Sequence, residues 1–414
     1  MSKLQPVRGT HDLLPEDARR HRHIVDTGLR VSERYGFGEI ETPIFEFTDV
    51  FKRTLGEASD VVSKEMYTFT DRGGEELTLR PEGTASVCRA LITGGLTQNL
   101  PAKFYYQGPM FRYERPQKGR MRQFHQIGIE LLGAAEPQAD IEVISCGADI
   151  LDAIGVLSRT TLELNTLGDT DSRKAYRAAL VEYFGDHREA LSEDSRRRLE
   201  LNPLRILDSK DEGDRRLVEH APSFDDYLND YSKDFFAAVV AGLDALGVGY
   251  HRNTRLVRGL DYYCHTTFEF VTDALGAQGT VMAGGRYDGL VETMGGPAIP
   301  GVGWAAGIER LALLVEGVTD PARPIAIVPV GAGTELEALK LAHRLRRAGH
   351  AVEHGYTGNV GKRLKRASKV GARVALILGE DELARGAVQL RDLDAGTQDE
   401  AALDRIEESL ARFR

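Results

Sequence analysis

The sequence predicts an α+β protein in which residues 1–170 and 247–320 carry a core, 171–246 form a helical insertion, and 324–414 form a compact α/β domain. Three observations predict this. Gly108–Glu130 reads as two strands around the turn Pro116-Gln117-Lys118-Gly119; on the second strand Gln126, Gly128 and Glu130 fall on one face and Ile127, Ile129 and Leu131 on the other. From Asp171 to Leu246 charges are dense, Ala, Leu, Arg and Glu dominate, and the apolar spacing is helical. Beyond the proline-bounded link Val318–Pro324, strand and helix patterns alternate, which implies a mainly parallel sheet.

Along the chain, residues 16–35 form an amphipathic pattern with Ile24, Val25, Leu29 and Val31, and the helix should stop at Gly36. Glu39–Phe47 is extended and interrupted by Pro43, which suits an edge strand or a bulge. Lys64–Thr70 and Glu76–Arg80 read as strands joined by Asp71-Arg72-Gly73-Gly74. Pro81 and Gly83 then mark a junction into a helix that runs to Ile92 with Thr84 as its N-cap. A helix over 137–155 and a strand over Thr160–Asn165 complete the first part. After the insertion, Thr254–Tyr263 and Thr266–Thr272 read as strands, and GVGWAAGIERL runs from strand into helix. In the last domain Ile325–Val330, His350–Tyr356, Arg373–Leu378 and Ala387–Leu393 read as strands. Glu335–Ala348, the basic segment Val360–Val370 and Glu400–Arg412 read as helices.

The bulk properties limit the function classes. With 414 residues, 42% hydrophobic and 28% charged, the chain has the composition of a soluble globular protein of two or three domains. No apolar run approaches a membrane span, so no membrane partner is expected, and MSKLQPVRGT lacks the apolar centre of a signal peptide. The three cysteines, Cys88, Cys146 and Cys264, stand far apart and suit a reducing compartment, which makes the cytoplasm the expected location. A net charge of −10 excludes a general nucleic-acid coat but leaves local basic patches at Arg112–Arg122 and at Gly361–Arg373.

Three groups of residues carry chemistry. In the hairpin, Arg112 is expected on the face of Tyr106 and Gly108, opposite Gln126 and Glu130, where a guanidinium fork suits carboxylate or phosphate. In GVGWAAGIER, Gly301, Gly303 and Gly307 thin the backbone, and Arg310 sits in the first turn of a helix, where a cation is unfavourable unless an anion joins it. RGLDYY (258–263) and AGGRYDGL (283–290) bring Arg258, Tyr262, Tyr263, Arg286, Tyr287 and Asp288, which can clamp a heteroaromatic ring by hydrogen bonds. There is no GxxxxGK[ST], no early GxGxxG after a strand and no HExxH or other metal spacing, so a P-loop is excluded and no protein-held metal is expected; His125 reads as a satisfied core residue.

Taken in this order, these motifs resemble those of the class II aminoacyl-tRNA synthetases, and of their bacterial-type histidyl branch. The helix and Pro43 strand are similar to motif 1, Gly108–Glu130 to motif 2 and GVGWAAGIERL to motif 3. RGTHDLLP, TLRPEGT, RGLDYY and AGGRYDGL match the histidyl branch. The resemblance implies a mixed, mostly antiparallel catalytic sheet, a C-terminal anticodon-binding domain, a homodimer built through motif 1, and the substrates histidine, ATP and histidine tRNA. It implies Mg²⁺ held mainly by ATP oxygens. It also assigns roles. Glu82, Thr84 and Gln126 would hold the α-amino end of histidine; Glu130 and Tyr263 would bind the imidazole nitrogens, with Tyr287 closing the pocket. Arg112 and Arg258 would face the α-phosphate, Glu114 and Arg120 the adenine edge and outer phosphates, and Arg310 the γ-phosphate. Lys362, Arg363, Lys365 and Arg366 would face tRNA, and the helical insertion would lean on its acceptor arm. A rival with the same core is the synthetase-like regulatory subunit of ATP phosphoribosyltransferase, which usually lacks the anticodon domain.

Overall fold

The computed structural model describes residues 3–55, 61–257 and 262–413. The chain divides into two compact units, Met1–Val318 and Thr319–Arg414.

The first unit begins with α1, Pro15–Arg34, which has proline in its first turn beside Glu16 and Asp17 and has Arg34 in its last turn. Both ends therefore suit the helix dipole. Ile24 and Val31 bury its inner face, and the chain turns at Gly36, where φ is +80°. The extended segment expected around Pro43 splits. Gly38–Glu39 (β1) joins the main sheet, whereas Phe45–Phe47 joins a small sheet with Tyr67–Thr70 and Glu76–Leu79. The strand expected from Lys64 starts only at Tyr67, because Val61–Glu65 forms a helical turn.

The main sheet adds β2 (Ala102–Phe111), β3 (Gln123–Leu132), β4 (Thr161–Thr166), β5 (His251–Arg252), β6 (Cys264–Val271), β7 (Thr280–Arg286) and β8 (Gly301–Gly307). Its order is β1-β2-β3-β8-β7-β6-β4-β5. The outermost pairs β1/β2 and β4/β5 are parallel and the other neighbours antiparallel, as a mixed, mostly antiparallel sheet requires. The alternation on β3 holds: Ile127, Ile129 and Leu131 enter the main core with helices on that side, which leaves Gln126, Gly128 and Glu130 on the opposite face. The β2/β3 register sets Gly108 against Gln126 and Phe104 against Glu130. Arg112 lies just beyond β2, with its amide bonded to Arg122 O at 2.9 Å, so it is not opposite Glu130 as the hairpin pattern suggested. Of the strand expected at Thr254–Tyr263, residues 258–261 lie outside the described residues and the described remainder is not strand; His251–Arg252 pairs instead.

Helices α2 (Thr84–Thr93) and α3 (Pro137–Ala153) follow the expected spans. Within the helical stretch, Thr170–Asp186, Glu193–Leu201 and Glu212–Val218 pack around Tyr176, Leu180, Phe184 and Phe224. Each starts at a capping side chain: Asp169, Ser192 and Asp211. The last helix of the stretch, α4 (Asp230–Leu246), instead places Phe235, Phe236, Val239 and Leu243 in the main core beside α3. The short α5 (Ile308–Ala312) continues from β8.

The second unit has β9 (Ile325–Val330), β10 (Val352–His354), β11 (Val374–Gly379), β12 (Ala387–Asp392) and β13 (Gln398–Ala402), in the order β10-β9-β11-β12-β13. The first three are parallel, but β12 and β13 are antiparallel, so the expected mainly parallel sheet is half hairpin. The helix expected over Glu400–Arg412 shrinks to Ile406–Leu410. Asp392 accepts the amides of Asp394 and Ala395, and Gly396 takes φ +73°. This turn closes a hairpin and draws Gln398–Ala402 into the sheet. Helices α6 (Glu335–Arg347) and α7 (Val360–Lys369) are as expected.

Candidate active site

On the face of the main sheet that carries Gln126 lies a cavity of about 370 Å³. Its lining includes Glu82, Thr84, Arg112, Glu114, Arg120, Gln126, Tyr262, Tyr263, Glu269 and Arg310. Residues far apart in sequence thus meet over the centre of the sheet, where β3 and β8 are neighbours.

One end of the cavity is a buried acidic floor. Glu82 precedes α2 and accepts the amides of Thr84 at 2.8 Å and Ala85 at 2.9 Å. The helix-capping task expected of Thr84 therefore falls to Glu82, and Thr84 is the first helical residue. This frees the Thr84 hydroxyl to donate to Glu130 Oε1 at 2.6 Å. The Tyr287 hydroxyl donates to the other oxygen of Glu130. Glu130 is 1% exposed, and burial pushes its pKa up to about 8, reinforced by the charge of Glu82 and opposed by the Thr84 and Tyr287 hydrogen bonds. Burial likewise raises the Glu82 pKa against its two amide donors. Gly303 faces Glu130 across β3/β8, and a Cβ there would collide with Glu130 Oε2. Gly301 similarly makes room for the Tyr287 ring. Glu130 and Tyr287 lie one layer beneath the cavity lining, so Tyr287 underpins the floor rather than closing the top. Gln126 lies at the wall, and its buried side-chain oxygen has no hydrogen-bond partner among the described residues.

The other end is a cationic rim. Arg112 Nε donates to Pro81 O at 2.9 Å, and its guanidinium lies 5.2 Å from the Phe124 ring centre. Arg120 pairs with Glu114 at 2.6 Å, while Arg112 is 4.0 Å from the same carboxylate. Arg310 donates to Gly119 O at 3.0 Å and to Thr280 O at 2.7 Å. Burial lowers the Arg310 pKa, and the charges of Arg120 and Arg112 lower it further, against Glu114. Three guanidiniums among two carboxylates, Glu114 and Glu269, make an environment that an anion with several oxygens suits. Glu114 and Glu269 supply hard oxygen donors on the same wall, a set that fits Mg²⁺ carried by phosphate.

The structure separates other expected residues from the cavity. Arg258 lies outside the described residues. Arg286, grouped by sequence with the tyrosines, is fully buried in an ion pair with Asp140 and bonds Ala134 O at 3.0 Å. It is a core element and not a ring clamp. Arg363, expected to face RNA, turns inward because Pro329 O at 2.6 Å and Glu335 at 2.8 Å accept its guanidinium. Lys362, Lys365 and Arg366 on α7 are exposed, with Arg366 bonded to Glu353 at 2.7 Å. His125 is a satisfied residue, its Nδ1 2.8 Å from Glu309. Sequence reading gave no role to Glu309 or Glu269; Glu309 stands beside Arg310 in GIER, but nothing in that pattern says that it turns to β3.

Residues 324–412 match the family model described as an anticodon binding domain, and residues 9–311 match the model described as histidyl-tRNA synthetase. Together with the mixed antiparallel sheet and its central cavity, these matches define an aminoacyl-tRNA synthetase of class II. The chain is 63% identical to the histidine--tRNA ligase of Rhodospirillum rubrum, with all of both chains covered. It is 60% identical to that of Gluconobacter oxydans, covering 97% of this chain and 96% of the relative. The crystal structure of apo Staphylococcus aureus histidyl-tRNA synthetase superimposes with a TM-score of 0.83 at 36% identity, covering 98% of this chain and 99% of that one. The chain belongs to the histidyl-tRNA synthetase family. Among the described residues no helix is long and apolar enough to cross a membrane.

Proposed function

We propose that the cavity activates histidine with ATP and that the chain then transfers histidine to its tRNA. The observation that carries this reading is one cavity lined by the buried Glu82, with Glu130 directly beneath it through Thr84, and by three arginines. Glu82 and Glu130 suit a ligand with an ammonium group and a ring N–H. Tyr263 serves the second ring nitrogen, Gln126 offers its unpartnered oxygen to the ammonium, and Thr84 and Tyr287 hold Glu130 in place. Arg112 and Arg310 face the phosphates, Glu114 and Arg120 the adenine side, and Arg258 keeps the α-phosphate role that the family resemblance gives it.

The histidine carboxylate attacks the α-phosphorus of ATP, pyrophosphate leaves, and histidyl-adenylate forms; the terminal ribose hydroxyl of tRNA then takes the histidyl group and AMP leaves. Arginines positioned before the reaction stabilise the charge that grows at the α-phosphate. Mg²⁺ would neutralise phosphate charge, and Glu114 and Glu269 are the cavity carboxylates that would help to hold it. In domain terms, 1–170 and 247–320 act as the catalytic core, 171–246 as the insertion that leans on the acceptor arm, and 324–414 as the anticodon-reading unit, with Lys362, Lys365 and Arg366 towards RNA phosphates. The chain acts as a cytoplasmic homodimer through α1 and the Pro43 segment. Relatives named as ligases over the full length favour this reading over a regulatory subunit of ATP phosphoribosyltransferase. The test is ATP–pyrophosphate exchange by purified protein, assayed with each amino acid. Exchange that depends on histidine alone is expected; folded protein with no exchange refutes it.

A further inference from the structure

Three side chains from three elements converge at the margin of the cavity, and of the three Glu309 also lines it. His21 comes from α1, His125 from the start of β3 and Glu309 from α5, and one ligand atom from each lies within 4.8 Å of the other two. The His21 and His125 ring centres are 5.5 Å apart at 78°. Glu309 is mostly buried, with its side chain 12% exposed. It is held in place because the His125 amide is shared between its oxygens at 3.0 and 2.9 Å. We propose that His21, His125 and Glu309 form a binding site for a zinc-class divalent transition metal.

The hydrogen bond between His125 and Glu309 accounts for that pair alone. It does not account for a second imidazole delivered edge-on by a helix distant in sequence. Ligands of a tetrahedral zinc, with bonds of about 2.0–2.1 Å, lie about 3.3 Å apart, so small side-chain rotations close this cluster without moving the backbone. Two imidazoles and one carboxylate select zinc, cobalt or nickel over magnesium or calcium. Both imidazoles ligate through a ring nitrogen in their neutral form. Three protein ligands leave a fourth position for water. The ion would tie α1 to the junction of β3 and α5, next to Gln126 and Arg310, yet it takes no part in the proposed chemistry, so its test stands apart from that reading.

The test uses the full chain stripped of metal, with Zn²⁺ and Co²⁺ as probes. Titration calorimetry is expected to show one saturable equivalent of Zn²⁺ at neutral pH, released below about pH 6 as the imidazoles protonate. Co²⁺ is expected to give tetrahedral ligand-field bands. His21→Ala is expected to weaken Zn²⁺ binding by more than the roughly 10–100-fold that loss of an outer-shell partner costs and to abolish the Co²⁺ bands, with histidine-dependent exchange unchanged. If His21→Ala fails to fold, His21→Gln carries the same comparison. Absence of saturable binding by the wild-type chain, or binding by the variant within a few-fold of it, overturns the proposal.

Discussion

The two ends of the cavity solve opposite electrostatic problems. At the floor, Glu82 and Glu130 are removed from water, and each carboxylate has protein donors, so burial and not exposure sets their chemistry. At the rim, Arg112 and Arg120 keep partial solvent access, and Arg310 is crowded by like charge. The floor is organised before any ligand arrives, at the expense of placing two acids side by side in a low dielectric. The rim is a cationic field that a polyphosphate completes. On the proposed reading, recognition of histidine would rest on shape and hydrogen bonding at the floor, and ATP binding on charge at the rim.

Substitutions separate the two. The largest effect is expected for Glu130→Gln, which keeps size but removes the carboxyl group; kcat/KM for histidine should fall on the order of 10³-fold or more in pyrophosphate exchange, with KM for ATP little changed. Arg310→Ala should fall next, by about 10²-fold, and through ATP; an equal rise in the histidine KM would erase the distinction between the ends. Stability responds in the opposite sense to activity. Because the Glu130 pKa rises from 4.5 to about 8 on folding, the folded chain keeps a proton that the unfolded chain releases. Folding should therefore weaken as pH rises between these values and level off above them. Glu130→Gln should flatten that slope and melt higher than wild type at pH 8 in a calorimetric pH series; an unchanged slope would mean that Glu130 is already ionised. The smallest effect is expected far from the cavity: Lys365→Ala should weaken tRNA binding several-fold and lower the slope of log K against log salt by about one, with amino-acid activation intact.

The two regions also differ in how far sequence revealed them. The floor was legible because β3 alternates strictly, and one strand then assigns Ile127, Ile129 and Leu131 to the core and Gln126 and Glu130 to the opposite face. Glu82 was visible, but its capping of α2 was not: a Thr84 N-cap would serve the amides of Ser86 and Val87, whereas the helix starts at Thr84 and Glu82 takes the amides of Thr84 and Ala85. Arg286 and Arg363 read as binding residues because a guanidinium in sequence carries no mark of burial; Asp140 and Glu335, remote in the chain, turn them inward. The β12/β13 hairpin was missed because the apolar spacing around Ile406 and Leu410 also fits a longer helix. The turn at Asp392–Gly396 overrides it.

The most direct test of the division is calorimetric binding of histidine and of ATP, each alone, to Glu130→Gln and Arg310→Ala. The account predicts that Glu130→Gln loses histidine binding and keeps ATP, while Arg310→Ala loses ATP and keeps histidine at nearly the wild-type Kd. Loss of both ligands by either folded variant would contradict it.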